Sequence, residues 1–380
     1  LVARAVRGSR LTAALVNGAA GHALDFDDTH MAMNGHPSVP VLPALLALAE
    51  SVGASGERLL AALVAGIELE CRLGMLLGRR HYEIGFHTTG TIGTFGAAAA
   101  CAHLLSLDED GWLRAIGLAG IEAAGLKSAF GTMAKPLPAG RAASAGLLAA
   151  LLAQGGFTAA TDVLEAKQGF FETHHGAEAD PKRLEGWGGR FFVRETLFKY
   201  HAACYLTHAP IEAARRLRDG GLEPDSIDLV TLSVAPMLLG VCSIPEPKTG
   251  LEGKFSLRAT TALALLGEDT AALATYSDAK MREPALVRLR DRVIVETDRD
   301  LAPTQARVRI AASGRRLEET ADSGIPAADL AAQRVRLDEK FHALASPVIG
   351  NANARELARI ALEIDRLDST ARLFRLLAAA

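Results

Sequence analysis

The chain has 380 residues; 49% are hydrophobic but only 5% aromatic, and 41 basic and 44 acidic side chains give a formal net charge of -3. This length allows a large core and two or three structural units, and a hydrophobic content carried by Ala and Leu favours packed helices over a β-sandwich. The composition lacks a basic block for nucleic acid and an apolar run that could span a bilayer, while four dispersed cysteines without a CxxC pair point to a reduced, cytoplasmic protein.

The first residues combine a basic start with an apolar patch, but acidic residues follow at once, so a helix rather than a signal peptide is expected. The segment from His22 to Pro40 then gathers Asp25, Asp27, Asp28, Thr29, His22, His30 and His36 between apolar flanks. Unpaired charge in low dielectric is costly, so this polar knot is expected to line a cleft where its groups satisfy one another and a ligand. Segments 39–51, 57–78, 90–106, 109–124 and 140–155 carry apolar residues at helical spacing. Helix starts are expected at Ser55, at Leu107-Asp108 and at Thr161-Asp162. Gly90, Gly93 and Gly96 lack the spacing and the preceding strand of a nucleotide loop and are read as close helix packing.

Three further places concentrate chemistry. His81, Glu83 and His87 stand just ahead of the glycine-spaced helix. Lys127, Lys135 and Arg141 cross an Ala-rich region, where lysines suggest a cavity receiving anions. Lys199, His201, Cys204, Tyr205 and His208 fall where the texture changes, and a domain junction is where clefts tend to form. His174 and His175 are expected in an exposed loop. From about 200 to 330, strands are expected at 226–236, 292–298 and 306–314, with a helix at 255–267 between the first two. Helical period returns after about 335. The expected fold is therefore mainly α with an α+β insert: an all-helical domain, residues 1–198 and 334–380, closed by C-terminal helices, and an α+β lid, residues 199–333.

DFDDTH invites comparison with the Asp-rich Mg²⁺ sites of all-helical diphosphate enzymes, but a DDxxD spacing and a second Asp-rich helix are missing, and His81 with His87 does not complete a zinc set. No metal is expected.

HALDFDDTH followed by HPS, then GxHxTxxxGTFGAAAA, GTMxKPLxAGRAA and LExKQGFF, in order over about residues 10 to 270, resemble the MmgE/PrpD family of 2-methylcitrate dehydratases, cis-aconitate decarboxylases and iminodisuccinate epimerases. Within it, HYEIGFHTTGTIGTFGAAAACA most resembles the epimerase-like branch. The resemblance implies a helical domain with a smaller lid, a cleft between them, a homodimer, and no metal or organic cofactor. It maps the family's site onto Asp25, Thr29, His36, His87, Lys135 and Lys199. Where decarboxylases carry Met before the KP lysine this chain has Lys127, and where they carry Tyr after KFSLP it has Arg258 and Ala259; both changes point to a polyanion other than cis-aconitate. Family chains also carry roughly sixty more helical residues ahead of the first motif, which implies either a fragment or a shortened first layer here.

The function these residues imply is a cofactor-independent lyase, of dehydratase or decarboxylase type, on a small di- or tricarboxylate. His36 and His87 would carry protons, Asp25 would orient an imidazole, and Lys135 and Lys199 would stabilise the developing negative charge. Thr29, Lys127, His208 and Arg258 would contact substrate. The alternatives are an epimerase or isomerase of a similar acid, a Mg-dependent all-helical diphosphate enzyme, and a non-catalytic relative.

Overall fold

The computed structural model describes residues 1–378 except 5, 176–178 and 187. Helix α1 (Arg10–His22) begins where the Ser9 side chain accepts from the Thr12 amide, a cap that satisfies one orphan donor of the first turn. It is followed by α2 (Ser38–Val52), which closes on left-handed Gly53, and α3 (Gly56–Glu83), capped by Ser55 and interrupted by Gly78 at φ 63°. Then come α4 (Thr88–Leu104), α5 (Glu109–Glu122), capped by Asp108, and α6 (Leu137–Gln154). The expected starts at Ser55 and Asp108 are real. Thr161-Asp162 instead opens a run of turns that closes at Gly169, with Gln168 at positive φ, and only α7 (Phe170–His175) is helical there.

Helix α4 is the centre of the body: every residue from Thr88 to Leu104 except His103 is buried. Small side chains make that possible. A Cβ at Gly93 would meet Pro40 Cγ at 2.6 Å, and one at Gly96 would meet Glu70 Oε2 at 2.6 Å. The glycine spacing therefore serves helix packing, because neighbouring groups already occupy the space a side chain would need.

The mixed unit begins with α8 (His208–Asp219) and strand β1 (Ile227–Val234). It continues through α9 (Gly250–Gly253), α10 (Leu257–Leu266), α11 (Asp278–Met281) and α12 (Pro284–Asp291) to β2 (Val293–Thr297), β3 (Gln305–Ala312) and β4 (Arg315–Asp322). The sheet order is β2-β1-β3-β4. β1 and β2 are parallel with Val230 opposite Val293, and the helices between them supply the crossover that a parallel pair requires. β1 runs antiparallel to β3, and β3 to β4. A fourth strand, β4, joins the three expected from the sequence: RRLEETAD is an edge strand, mostly solvent-facing and charged, so it shows no apolar alternation.

The lid core joins Val230, Leu232, Val308, Ile310 and Leu263, and it also takes in Phe26 from the polar knot. After the lid, α13 (Leu330–Ile349), α14 (Asn351–Leu362) and α15 (Ala371–Ala378) return to the body. Leu357, Ile360 and Leu373 share a core with Leu45, Leu48 and Leu104. The protein is mainly helical with a smaller α+β part, as its pattern predicts, and none of the described helices is long and apolar enough to cross a membrane.

Candidate active site

The loop between α1 and α2 is held by its own polar groups. His22, in the last turn of α1, is fully buried, and its Nδ1 lies 2.8 Å from Asp27 Oδ2. The same oxygen is 3.1 Å from His36 Nδ1. His36 Nδ1 also lies 2.7 Å from the Asp28 carbonyl oxygen, so this nitrogen carries a hydrogen, and Nε2 lies 3.9 Å from Asp25 Oδ1. Asp28 in turn accepts from the Ser38 amide at 3.2 Å and the Ser38 hydroxyl at 2.5 Å, which fixes the start of α2. His30 is structural: its Nε2 lies 2.8 Å from the Phe192 carbonyl.

Asp25 is the point where distant segments converge. Its backbone is left-handed, at φ 52°, and its carboxylate is buried. Lys135, from the turn before α6, donates to Asp25 Oδ1 at 2.5 Å. Lys199 donates to the same oxygen at 3.0 Å and to the Asp25 carbonyl at 2.8 Å. Lys199 is brought there by a two-way backbone pairing of Thr29 with Leu197, at 2.8 and 2.9 Å. Burial alone would raise the Asp25 carboxyl, but the charges of Lys135 and Lys199 outweigh it and hold the group well below the usual carboxylate range. Asp27 is likewise ionised, because His22 and His36 overcome its burial. Asp28 is pushed up to about 6 by burial, against the pull of its Ser38 bonds. His22 is lowered to about 4 by burial despite Asp27.

His87 caps the start of α4, with its amide donating to the Gly125 carbonyl at 3.0 Å. Its ring stands edge-on to Phe130 and nearly parallel to His22, with centroids 5.8 Å apart from the latter. Burial first, then the charges of His22 and Lys135, push it well below the ordinary histidine range, so it is neutral. Asp25, Thr29, His36, His87, Lys135 and Lys199 all line one cleft, whose far wall is Phe255, Cys204 and Val241 of the lid.

Three expected substrate contacts lie elsewhere. Arg258 is directed onto the outer side of the lid, bonding to Asp291 and the carbonyls of Arg290 and Pro245, because α10 turns this residue away from the face that carries buried Ala259. Lys127 folds back over Tyr82, 3.7 Å from the ring centroid, and donates to the Tyr82 carbonyl at 3.1 Å. His208 is buried behind the cleft wall against His201 and Tyr205. Arg141 is exposed and pairs with Glu122. His174, expected in an exposed loop, is half-buried, stacked on Phe170 with centroids 4.3 Å apart. Tyr82, in the HYEIGFH run, also lines the cleft, a place its residue type and spacing do not signal.

His22, Asp25, Asp27 and His36 offer ligand atoms within 4.8 Å of one another, the only such group among the described residues. Asp25 Oδ1 already accepts from two ammonium groups and Asp27 Oδ2 faces two imidazole nitrogens, while Asp25 Oδ2, Asp27 Oδ1 and His22 Nε2 are buried without a hydrogen-bond partner; a divalent ion held there would lie close to Lys135 and Lys199, whose charge opposes it.

The pattern of the MmgE/PrpD N-terminal domain matches residues 2–182, and that of the MmgE/PrpD C-terminal domain matches residues 201–366. The chain belongs to the MmgE/PrpD family. A cis-aconitate decarboxylase of Aspergillus terreus is 29% identical over 400 residues, covering 97% of this chain and 81% of that protein. The human cis-aconitate decarboxylase is 31% identical over 307 residues, 77% of this chain and 62% of the relative. The cis-aconitate decarboxylase-like protein oryM of Aspergillus oryzae is 34% identical over 222 residues, 54% and 46% of the two chains.

Proposed function

We propose that this MmgE/PrpD protein is a cofactor-independent lyase acting on a small di- or tricarboxylate, in a cleft between a helical body (1–198 and 334–380) and a lid (199–333). The observation that carries the reading is the buried pairing of Asp25 with both Lys135 and Lys199 beside two imidazoles. An ammonium has three donors. Lys135 spends one on Asp25 and Lys199 two, which leaves donors for substrate carboxylates and for the negative charge that develops when a bond next to a carboxylate is broken.

His36 Nε2 is the base. Its Nδ1 hydrogen is committed to the Asp28 carbonyl beside ionised Asp27, which supports the imidazolium formed once the α-proton is taken. His87, held neutral by burial, is the second carrier and acts as a proton acceptor, while the imidazolium formed at His36 is the group that returns a proton; Nδ1 of His87 is buried without a partner. Thr29 bonds substrate. Because Lys127 and Arg258 stand outside the cleft lining, the wall is less basic than the sequence suggests, and cis-aconitate, named for the relatives, re-enters as a candidate substrate.

The test is a set of acids (cis-aconitate, citrate, 2-methylcitrate, tartrate and amino-dicarboxylates) incubated with the protein in D₂O. Loss of CO₂ or formation of an alkene supports a lyase. Deuterium entering recovered acid without net loss favours an epimerase instead. Absence of turnover, exchange and binding with every acid would overturn the reading.

A further inference from the structure

Three consecutive carbonyls in the polar knot each accept from a different lysine. Lys254 of the lid donates to the Leu24 carbonyl at 2.5 Å, Lys199 to that of Asp25 at 2.8 Å, and Lys340 of α13 to that of Phe26 at 2.6 Å. Lys340 donates a second bond, at 2.8 Å, to the Lys199 carbonyl, and its ammonium lies 3.8 Å from the centre of the Phe26 ring. Neither Lys254 nor Lys340 lines the cleft.

Those contacts have a specific geometric meaning. The Asp25–Lys199 ion pair joins two segments 174 residues apart, and Lys340 bridges the backbones of both, one residue from Asp25 on one side and at Lys199 itself on the other. Asp25 meanwhile holds a left-handed backbone, at φ 52°, a conformation that a non-glycine residue keeps only when its surroundings hold it there. Carbonyls turned inward at such a corner need donors, and the chain supplies ammonium groups. The burial of those groups opposes their charge, and both Lys254 and Lys340 are pushed down to about 8.

We propose that Lys340 is a positioning residue of the active centre: its bridge between the Phe26 and Lys199 carbonyls sets the separation of Asp25 from the Lys199 ammonium, with Lys254 pinning the same turn from the lid. The geometric part stands on the bridge alone; its effect on ligand binding rests on the function proposed above.

Full-length Lys340→Met, Lys340→Gln and Lys340→Arg proteins test it, with amide hydrogen exchange read by mass spectrometry as the substrate-independent measurement. The Met variant is expected to exchange about tenfold faster in peptides covering residues 23–30 and 198–203, with α4 and α6 unchanged, while Arg, which keeps donors for both carbonyls, restores the wild-type pattern. Gln, with donors but no charge, should fall between and covers the case in which Met fails to fold. Citrate, as a carboxylate probe, should bind the Met variant about tenfold more weakly by calorimetry and the Arg variant normally, although Lys340 touches no ligand. Unchanged exchange in the two segments, or a uniform rise across the protein, would overturn the proposal. Citrate binding that is equal in all variants would do the same. If the wild type binds neither citrate nor the other acids, the proposed function fails, and the exchange pattern alone decides the role of Lys340.

Discussion

The His36 ring is fixed by the Asp28 carbonyl, 2.7 Å from Nδ1, and that relationship decides which nitrogen faces the cleft. If Nε2 is the base, His36→Ala should yield a folded protein whose turnover falls by about 10²-fold or more on the acid the wild type consumes. Steady-state kinetics with circular dichroism as the fold control reads this out. Turnover within a few-fold of wild type would remove His36 from the reaction.

Asp25 stands between two buried ammonium groups, and removing its carboxylate leaves both without their partner. Asp25→Asn is expected to cost roughly 3–5 kcal/mol, whereas the Asp25→Asn/Lys135→Met pair should recover part of that loss. Denaturant unfolding of the single and double variants measures the coupling. Strictly additive losses would mean that the contact carries no net interaction.

Stability should fall in mild acid. The native His22 imidazole is lowered from 6.5 to about 4 by burial, so between these values the unfolded chain binds a proton that the native chain refuses. The stability is fully present above pH 6.5 and drains away as pH falls towards 4, by roughly 3 kcal/mol for this one group. His87 and His208 are lowered by burial too and act in the same direction, while Asp28, pushed up to about 6 by burial, works against them. Urea midpoints from pH 7 to pH 4 should drop steeply for the wild type and less steeply for His22→Gln. Parallel slopes would refute the assignment to His22.

Arg258 and Lys127 separate this structure from the simplest reading of its sequence. Arg258→Ala is expected to leave turnover within about twofold, since its partners are on the outer side of the lid. Lys127→Ala should lower turnover by less than about tenfold, through a loosened Tyr82, because a cation–π contact is worth about 0.5–2 kcal/mol. A hundredfold loss in either would place that residue against the substrate after all.

Much of this arrangement is legible in the chain. Periodicity locates the helices of the body, and β-branched alternation locates three of the four strands. The density of Asp and His between two apolar helices marks the polar knot, since such a cluster can be buried only by mutual pairing. What escapes is what depends on direction rather than on type. Arg258 and Ala259 are neighbours on α10, and only the packed helix decides which one meets the core. Lys127 looks like an anion contact until the ring of Tyr82 captures it. Lys254 and Lys340 give no signal at all, because a lysine reaching a backbone carbonyl hundreds of residues away has no local pattern.

The bond from Lys340 to the Phe26 carbonyl spans 314 residues. During synthesis the early helices emerge and pack first, but a nascent chain that has not yet released α13 from the ribosome lacks this donor. The centre therefore matures only once nearly the whole polypeptide is available, and a product cut short ahead of α13 would keep its cleft residues while losing the means to align them.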